Sequence, residues 1–282
     1  MPPFAPHPVL AVVLCGAGAL HVGMVKEPRR RKFAFAGWLV LALAVLWPVG
    51  DLAASVSLSV ATIQRLVIML GVAPLLIAAT STQRITALTR PRLLDALSRT
   101  LAHPAVSIAF VTAVGTSTLS TPVVDEGAQS NVVRAITVAA VLVCGIVLWV
   151  PVLGVLPGAR RLSPVGRAGF LFVASLVVTS LSIVWIFARH SLYPGLQHQS
   201  SLWNMTPLLD QQLAGFVAKL GSYVPMWAVA FSILSRADDS GEAVEASPMH
   251  WADVERQLLR IDRQRARSRR RRGRRRPNAQ HE

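Results

Sequence analysis

Charged and amide side chains interrupt the apolar stretches of this chain at only a few places, and those places are where chemistry is sought first. Gln64 and Arg65 break an apolar run, Arg134 lies about one turn inside another, and Asp51 sits between two. The segment Pro207-Leu-Leu-Asp210-Gln211-Gln212-Leu-Ala-Gly215 puts an acid and two amides at the start of a further apolar run, with Lys219 deeper in it. A guanidinium or ammonium in apolar surroundings attracts carboxylate, phosphate or another anion. An acid near a helix N-terminus gains from the positive end of the helix dipole, and buried amides bridge helices. Asp51 and Asp210 are therefore the candidate counter-ions for Arg65 and Lys219. Asp51, Gln64, Arg65, Arg134, Asp210, Gln211, Gln212 and Lys219 together form a candidate polar cavity, outward-facing and lined by the second, third, fifth and seventh spans defined below.

Other chemistries lack their residues. No phosphate-binding glycine loop, dinucleotide fingerprint, metalloprotease motif or paired-cysteine site occurs, and no nucleophile–base pair can be named, so neither a catalytic residue nor a cofactor is assigned. None of the seven histidines forms an i, i+3 or i+4 pair. His190 and His198 share one loop with Tyr193 and Trp203, where ordinary interfacial side chains are expected. Cys15 and Cys144 both fall in apolar stretches and read as small buried hydrophobes rather than as ligands or a disulfide.

The elements that position these groups follow from hydropathy. The chain has 282 residues, of which 52% are hydrophobic and 15% charged, and carries a formal charge of +15. A soluble domain would carry about 25% charged residues. The high charge is local, because 12 of the 29 Lys and Arg residues lie between Arg256 and Arg276; a specific nucleic-acid partner is not implied. A membrane-spanning helix needs about 20 mostly apolar residues. Seven segments qualify: about Pro8–Val25, Phe33–Gly50, Ser55–Thr80, Pro104–Thr121, Asn131–Val155, Ala168–Ala188 and Pro207–Leu234. Lys and Arg fill the loops 26–32 and 81–103, the loop after the fifth span, and the tail; loops 1–7, 51–54, 122–130 and 190–206 contain none. That segregation predicts an all-α, seven-span protein with its N-terminus outside and its C-terminus cytoplasmic. Arg65 and Lys219 then lie roughly 15 Å inside the outer boundary, at about 1.5 Å per residue.

Two regions follow: residues 1–236 as the transmembrane domain and 237–282 as a cytoplasmic tail. In the tail, Trp251, Val254, Leu258 and Ile261 recur at spacings of three and four, which predicts an amphipathic helix over Met249–Arg267 ahead of the run Arg269–Arg276. Such a tail suits anionic membrane lipid.

Several motifs resemble the CtaG-type cytochrome c oxidase assembly factors, a family of seven-helix membrane proteins. They are Asp210-Gln-Gln-Leu-Ala-Gly215 after Pro207-Leu-Leu, Gly37-Trp-Leu-Val-Leu-Ala-Leu-Ala, Ala73-Pro74-Leu75-Leu76, and Trp149-Val-Pro151-Val-Leu-Gly154 followed by Pro157 and Arg161-Leu-Ser-Pro164. The resemblance covers about residues 33–235. It implies a role in maturing haem–copper oxidase in the bacterial plasma membrane, with oxidase subunits or assembly proteins as partners. It also implies two histidine pairs, which fall here on Ala61 and Arg65, with Gln64 between them, and on Arg134 and Val138. An accompanying glutamate falls on Thr137, and a tryptophan near Lys219. Imidazoles at i, i+4 clamp copper, whereas guanidinium has no free lone pair. The expectation is therefore a non-enzymatic accessory factor without copper of its own. The alternative is a transporter or channel for a small anionic solute, drawn by Arg65, Arg134 and Lys219, although no inverted repeat is visible.

Overall fold

The computed structural model describes residues 7–156, 161–193 and 205–239. The tail's amphipathic stretch, its arginine run and His198 lie outside the described residues. Two compact units are distinguished, Met1–Leu234 and Ser235–Glu282.

All regular structure among the described residues is helical. Helices α1 (Pro8–Met24) and α2 (Pro28–Val45) are followed by the short α3 (Val49–Ser55). Next comes a continuous rod of α4 (Leu58–Leu66), a π-helical turn (Val67–Val72) and α5 (Ala73–Ala79). Short helices α6 (Thr82–Leu88) and α7 (Arg92–Leu101) lead into α8 (Pro104–Ser117) and α9 (Thr121–Gln129). The remainder is α10 (Asn131–Leu153), α11 (Pro164–Val178), α12 (Leu181–Phe187) and α13 (Pro207–Asp239).

Local chemistry sets these boundaries. Proline opens α1, α2, α8 and α11, where a missing N–H costs nothing. Serine hydroxyls cap α4, α10 and α11 by accepting from Val60, Val133 and Gly166 N–H.

The expected spans are reshaped as they fold. Leu58–Ala79, Asn131–Leu153 and the α13 rod are each long and apolar enough to cross a membrane, and five spans are reached if two bent helix pairs each count as one. One pair is α11–α12, bent by 43°. The other is α7–α8, bent by 92°, so α7 turns sharply off the axis of α8 with Leu93 and Leu97 exposed. The loop expected over 81–103 is thus largely helical. The second span starts earlier than expected, taking Arg29–Lys32 into the first turns of α2, and it ends at Val45; the remainder re-forms as α3. Four cations in its first turns make α2 less apolar than the three long rods, while α1 is apolar but short, at 17 residues.

The rod of α4 and α5 changes pitch for a readable reason. Pro74 has no N–H, and its ring crowds the carbonyl four residues back, on Leu70. The helix widens ahead of it, and the Ala73 N–H reaches the carbonyl of Ile68, five residues away. Trp149 of α10 donates its indole N–H to the Met69 carbonyl in this turn, at 2.9 Å. Gly145 lets α10 come this close, since a Cβ there would stand 2.9 Å from Met69 Cα and 2.7 Å from Ala73 Cβ. The main core forms around this crossing from Ala73, Val111, Leu148, Trp149, Leu171 and Met226. Of the two cysteines, Cys144 is buried there as expected; Cys15 is exposed on α1, because the apolar residues around it face outward too.

Candidate functional site

The polar side chains singled out in the sequence divide into three groups and one separate cation, Lys219. At the first, Asp51 of α3 is 8% exposed and accepts from Arg134 Nη1 of α10 at 2.7 Å. His7 Nε2 stands 2.8 Å from the same carboxylate oxygen, and Arg134 also donates to Asn131 Oδ1 at 2.8 Å. Burial by itself raises the Asp51 pKa, but hydrogen bonds from His7 and Arg134, reinforced by their charges, outweigh it and hold the carboxyl below its ordinary value. A depressed folded-state pKa contributes stability that is complete above the ordinary carboxylate range and is lost as pH falls through the lower folded value. The unfolding midpoint of the wild-type chain should therefore fall between about pH 6 and about pH 3. The profile of Asp51→Asn, recorded by circular dichroism in detergent, should be flatter over the same interval.

Asp51 thus serves Arg134, not Arg65 as expected. The sequence does not tie His7 to Asp51; the one signal is its place just ahead of Pro8, at the same end of the bundle as Asp51.

The second group is a knot at the start of α13. Asp210, 9% exposed, accepts from Ser57 Oγ at 2.8 Å, from Leu58 N at 2.6 Å and from Ser59 N at 3.3 Å. Ser59 Oγ returns a bond to the Asp210 carbonyl at 2.9 Å. One carboxylate therefore satisfies the first two free N–H groups of α4, a charge-assisted cap delivered from a distant helix. Gln211 is buried and accepts from Leu192 N at 2.7 Å; Gln212 donates to Ala188 O at 3.2 Å. Acid and amides join α13 to α4 and to the end of α12, with Gln211 bonding through its oxygen, and none of them lines the cavities described below. Gly215 belongs to the same joint. A Cβ there would stand 2.7 Å from Ile186 Cγ1 and 2.8 Å from the Ser182 carbonyl. Gly215→Val should lower unfolding stability by about 1–3 kcal/mol, the usual cost of overpacking, read from thermal melts in detergent against the parent chain.

Lys219 stands apart from both groups. Its ammonium lies 3.2 Å from Thr179 Oγ1 and 3.3 Å from the Tyr223 hydroxyl, and 5.3 Å from the centre of the Tyr223 ring. Tyr223 stacks on Trp227, which stacks on Phe172. Hydroxyls and an aromatic face, rather than a carboxylate, accommodate this cation.

The third group is the cavity itself. Arg65 is half-buried and lines two adjoining spaces, one of roughly 660 Å³ and one of roughly 820 Å³, mouths included. The smaller is walled by α3, α4, α9 and α10, and its lining includes Ala61, Gln64, Arg65, Arg134, Thr137 and Val138. Gln64 donates to the Ala44 carbonyl at 2.8 Å, and Arg65 donates to Thr118 Oγ1. Of the eight residues read as cavity-lining, three meet here, and α9 stands where the seventh span was expected. The six positions named above include every one to which the family resemblance assigned a histidine or the accompanying glutamate. The donor set present does not fit copper, since guanidinium offers no lone pair, and alanine and valine offer no donor. Among the described residues, no three His, Cys, Asp or Glu side chains converge as a metal site would require.

Fold and site define a helical protein with several candidate membrane spans around a cationic interhelical cavity, a combination consistent with a membrane protein. Residues 11–237 match the profile of the cytochrome c oxidase caa3 assembly factor family, and the chain belongs to that family. The match begins within α1, so the first helix is part of the family unit rather than an addition ahead of residue 33. No curated protein and no solved structure matches the chain.

Proposed function

We propose that this chain is a non-catalytic, membrane-embedded accessory factor for cytochrome c oxidase assembly. It acts by contact with oxidase subunits or their assembly proteins and coordinates no copper of its own. One observation carries the reading. The positions tied by resemblance to metal ligands line a single cavity, and the donors there are Arg65, Arg134, Gln64 and Thr137. A cavity with guanidinium, amide and hydroxyl groups and no imidazole at those positions suits a factor that holds an assembly intermediate, not one that delivers a metal.

Seven spans with the N-terminus outside complete the proposal, in the plasma membrane of a bacterium. Its support is the one-sided distribution of Lys and Arg together with outward-facing apolar side chains such as Val9, Phe35, Phe187, Phe216 and Phe231. The Arg-rich tail then faces anionic lipid on the cytoplasmic side.

Deleting the coding sequence should lower oxidase haem absorbance in isolated membranes and leave solute uptake unchanged, and the tagged chain should co-purify with oxidase subunits. Normal oxidase content in the deletion strain contradicts the proposal. Reporter fusions that put Asp125 and the C-terminus on the same face of the membrane contradict the topology.

A further inference from the structure

Arg65 is a half-buried cation short of partners. A guanidinium carries five N–H donors, yet among the described residues Arg65 makes one hydrogen bond, to Thr118 Oγ1. Thr118 donates its own proton to the Gly115 carbonyl at 2.8 Å, so it acts toward Arg65 purely as an acceptor. Among the described residues, neither adjoining space has a carboxylate in its lining. Arg134, the other cation, is matched by Asp51. Helix α9 lends Val123, Val124 and Gly127 to the smaller space, but not Asp125 or Glu126. One positive charge is left over, and an ion removed from water without a partner is among the costliest groups to bury.

The larger space says what kind of anion would suit. Its walls include Met69, Val111, Leu148, Trp185 and Met226, and among the described residues Arg65 is the single charged one in its lining. The hydroxyls that reach it are mostly engaged with their own helices. Thr62 donates to Leu58 O, Thr179 to Ser175 O, Ser182 to Thr179 O and Ser222 to Lys219 O. An inorganic polyanion would meet one guanidinium and few free donors. A carboxylate matches the guanidinium fork with two parallel bonds, and an apolar body attached to it would match the walls.

We propose that the two spaces joined at Arg65 bind a small amphipathic monocarboxylate, its carboxylate on Arg65 and its apolar body against Met69, Leu148 and Met226. One negative charge balances the one left unmatched. This inference stands independently of a role in oxidase assembly, and its test reads no oxidase.

The full-length chain, purified in detergent, is titrated with sodium acetate, butyrate and hexanoate, with hexylamine as the control of opposite charge, and binding is read from the saturable rise in unfolding temperature. Affinity should grow about fourfold with each added methylene, the fold-change that burial of one such group provides, and hexylamine should give no saturable rise. Arg65→Gln should weaken every carboxylate about tenfold or more, as loss of a charged hydrogen-bonding partner does. Gly115 lines the apolar space, and a Cβ there would meet nothing within 4 Å. Gly115→Leu should therefore fold, fill that space and weaken hexanoate while leaving acetate unchanged, which keeps the proposal open to test if Arg65→Gln does not fold. Absence of saturable binding, indifference to chain length, an equal response to hexylamine, or hexanoate binding untouched by Gly115→Leu would each overturn it.

Discussion

Replacing Asp210 by asparagine is expected to cost about 1.5–3 kcal/mol of unfolding stability, the range for losing hydrogen bonds to a charged group. Asparagine keeps the size of the side chain but trades one acceptor oxygen for an NH₂ group. That group would face a donor, whether Ser57 Oγ, Leu58 N or Ser59 N, and the start of α4 would lose its charge-assisted cap. Because Ser57 also caps α4 by accepting from Val60 N, the damage should spread into the first turn of that helix. Gln212→Ala, which removes a single 3.2 Å bond, should cost only about 1 kcal/mol. Charge pairing across the bundle would have predicted rescue of Asp210 variants by second changes at Arg65 or Lys219. The geometry predicts none, since Arg65 bonds Thr118 and Lys219 bonds Thr179 and Tyr223. Denaturant titrations in detergent of the single and double variants decide between these, and an Asp210→Asn chain within about 1 kcal/mol of the parent would refute the knot.

The second large effect is a gain of function. Ala61 and Arg65 are one turn apart on α4 and both line the smaller cavity. The double variant Ala61→His, Arg65→His places two imidazoles at i, i+4, removes the unmatched cation and supplies lone pairs where there were none. It should bind one copper ion per chain, measured by metal analysis after gel filtration, under conditions where the parent chain binds none. Arg65→Gln, tested beside it, removes the same charge without adding a ligand and should bind none. Copper retained equally by all three chains would place the metal elsewhere and remove the link drawn between this cavity and the family's ligand positions.

Much of this architecture could be read from hydropathy, because an apolar run long enough to span a bilayer has few alternatives to a helix. The rods at Leu58–Ala79, Asn131–Leu153 and Pro207–Asp239 all lie close to where the sequence placed them. What hydropathy does not carry is a bend or a change of pitch. Pro74 was visible, but its effect on the turn before it depends on Trp149 standing ready to accommodate the Met69 carbonyl. Helix α7 was legible in principle from Leu93, Leu94, Leu97 and Leu101, yet the arginines beside them made the segment read as a topogenic loop. Polar partners were the least legible feature. Arg134 stood out in the sequence without its partners Asp51 and Asn131, and Asp210 pairs with the start of α4 instead of with Arg65 or Lys219. A side chain's donors are chosen by tertiary packing, and in both cases the decisive groups were backbone N–H groups or residues far away in sequence. Motif and cavity also separate in space. The Asp210–Gly215 motif holds helices together, while Ala61, Arg65, Arg134 and Val138, where the resemblance was broken, form the wall of the cavity.

The most direct measurement is an equilibrium titration of the purified wild-type chain with cuprous copper against a colorimetric chelator. A chain whose cavity presents Arg65 and Arg134 in place of imidazoles should leave all the copper with the chelator. One ion per chain withheld from the chelator, and released when the smaller cavity is altered, would contradict the account at its centre.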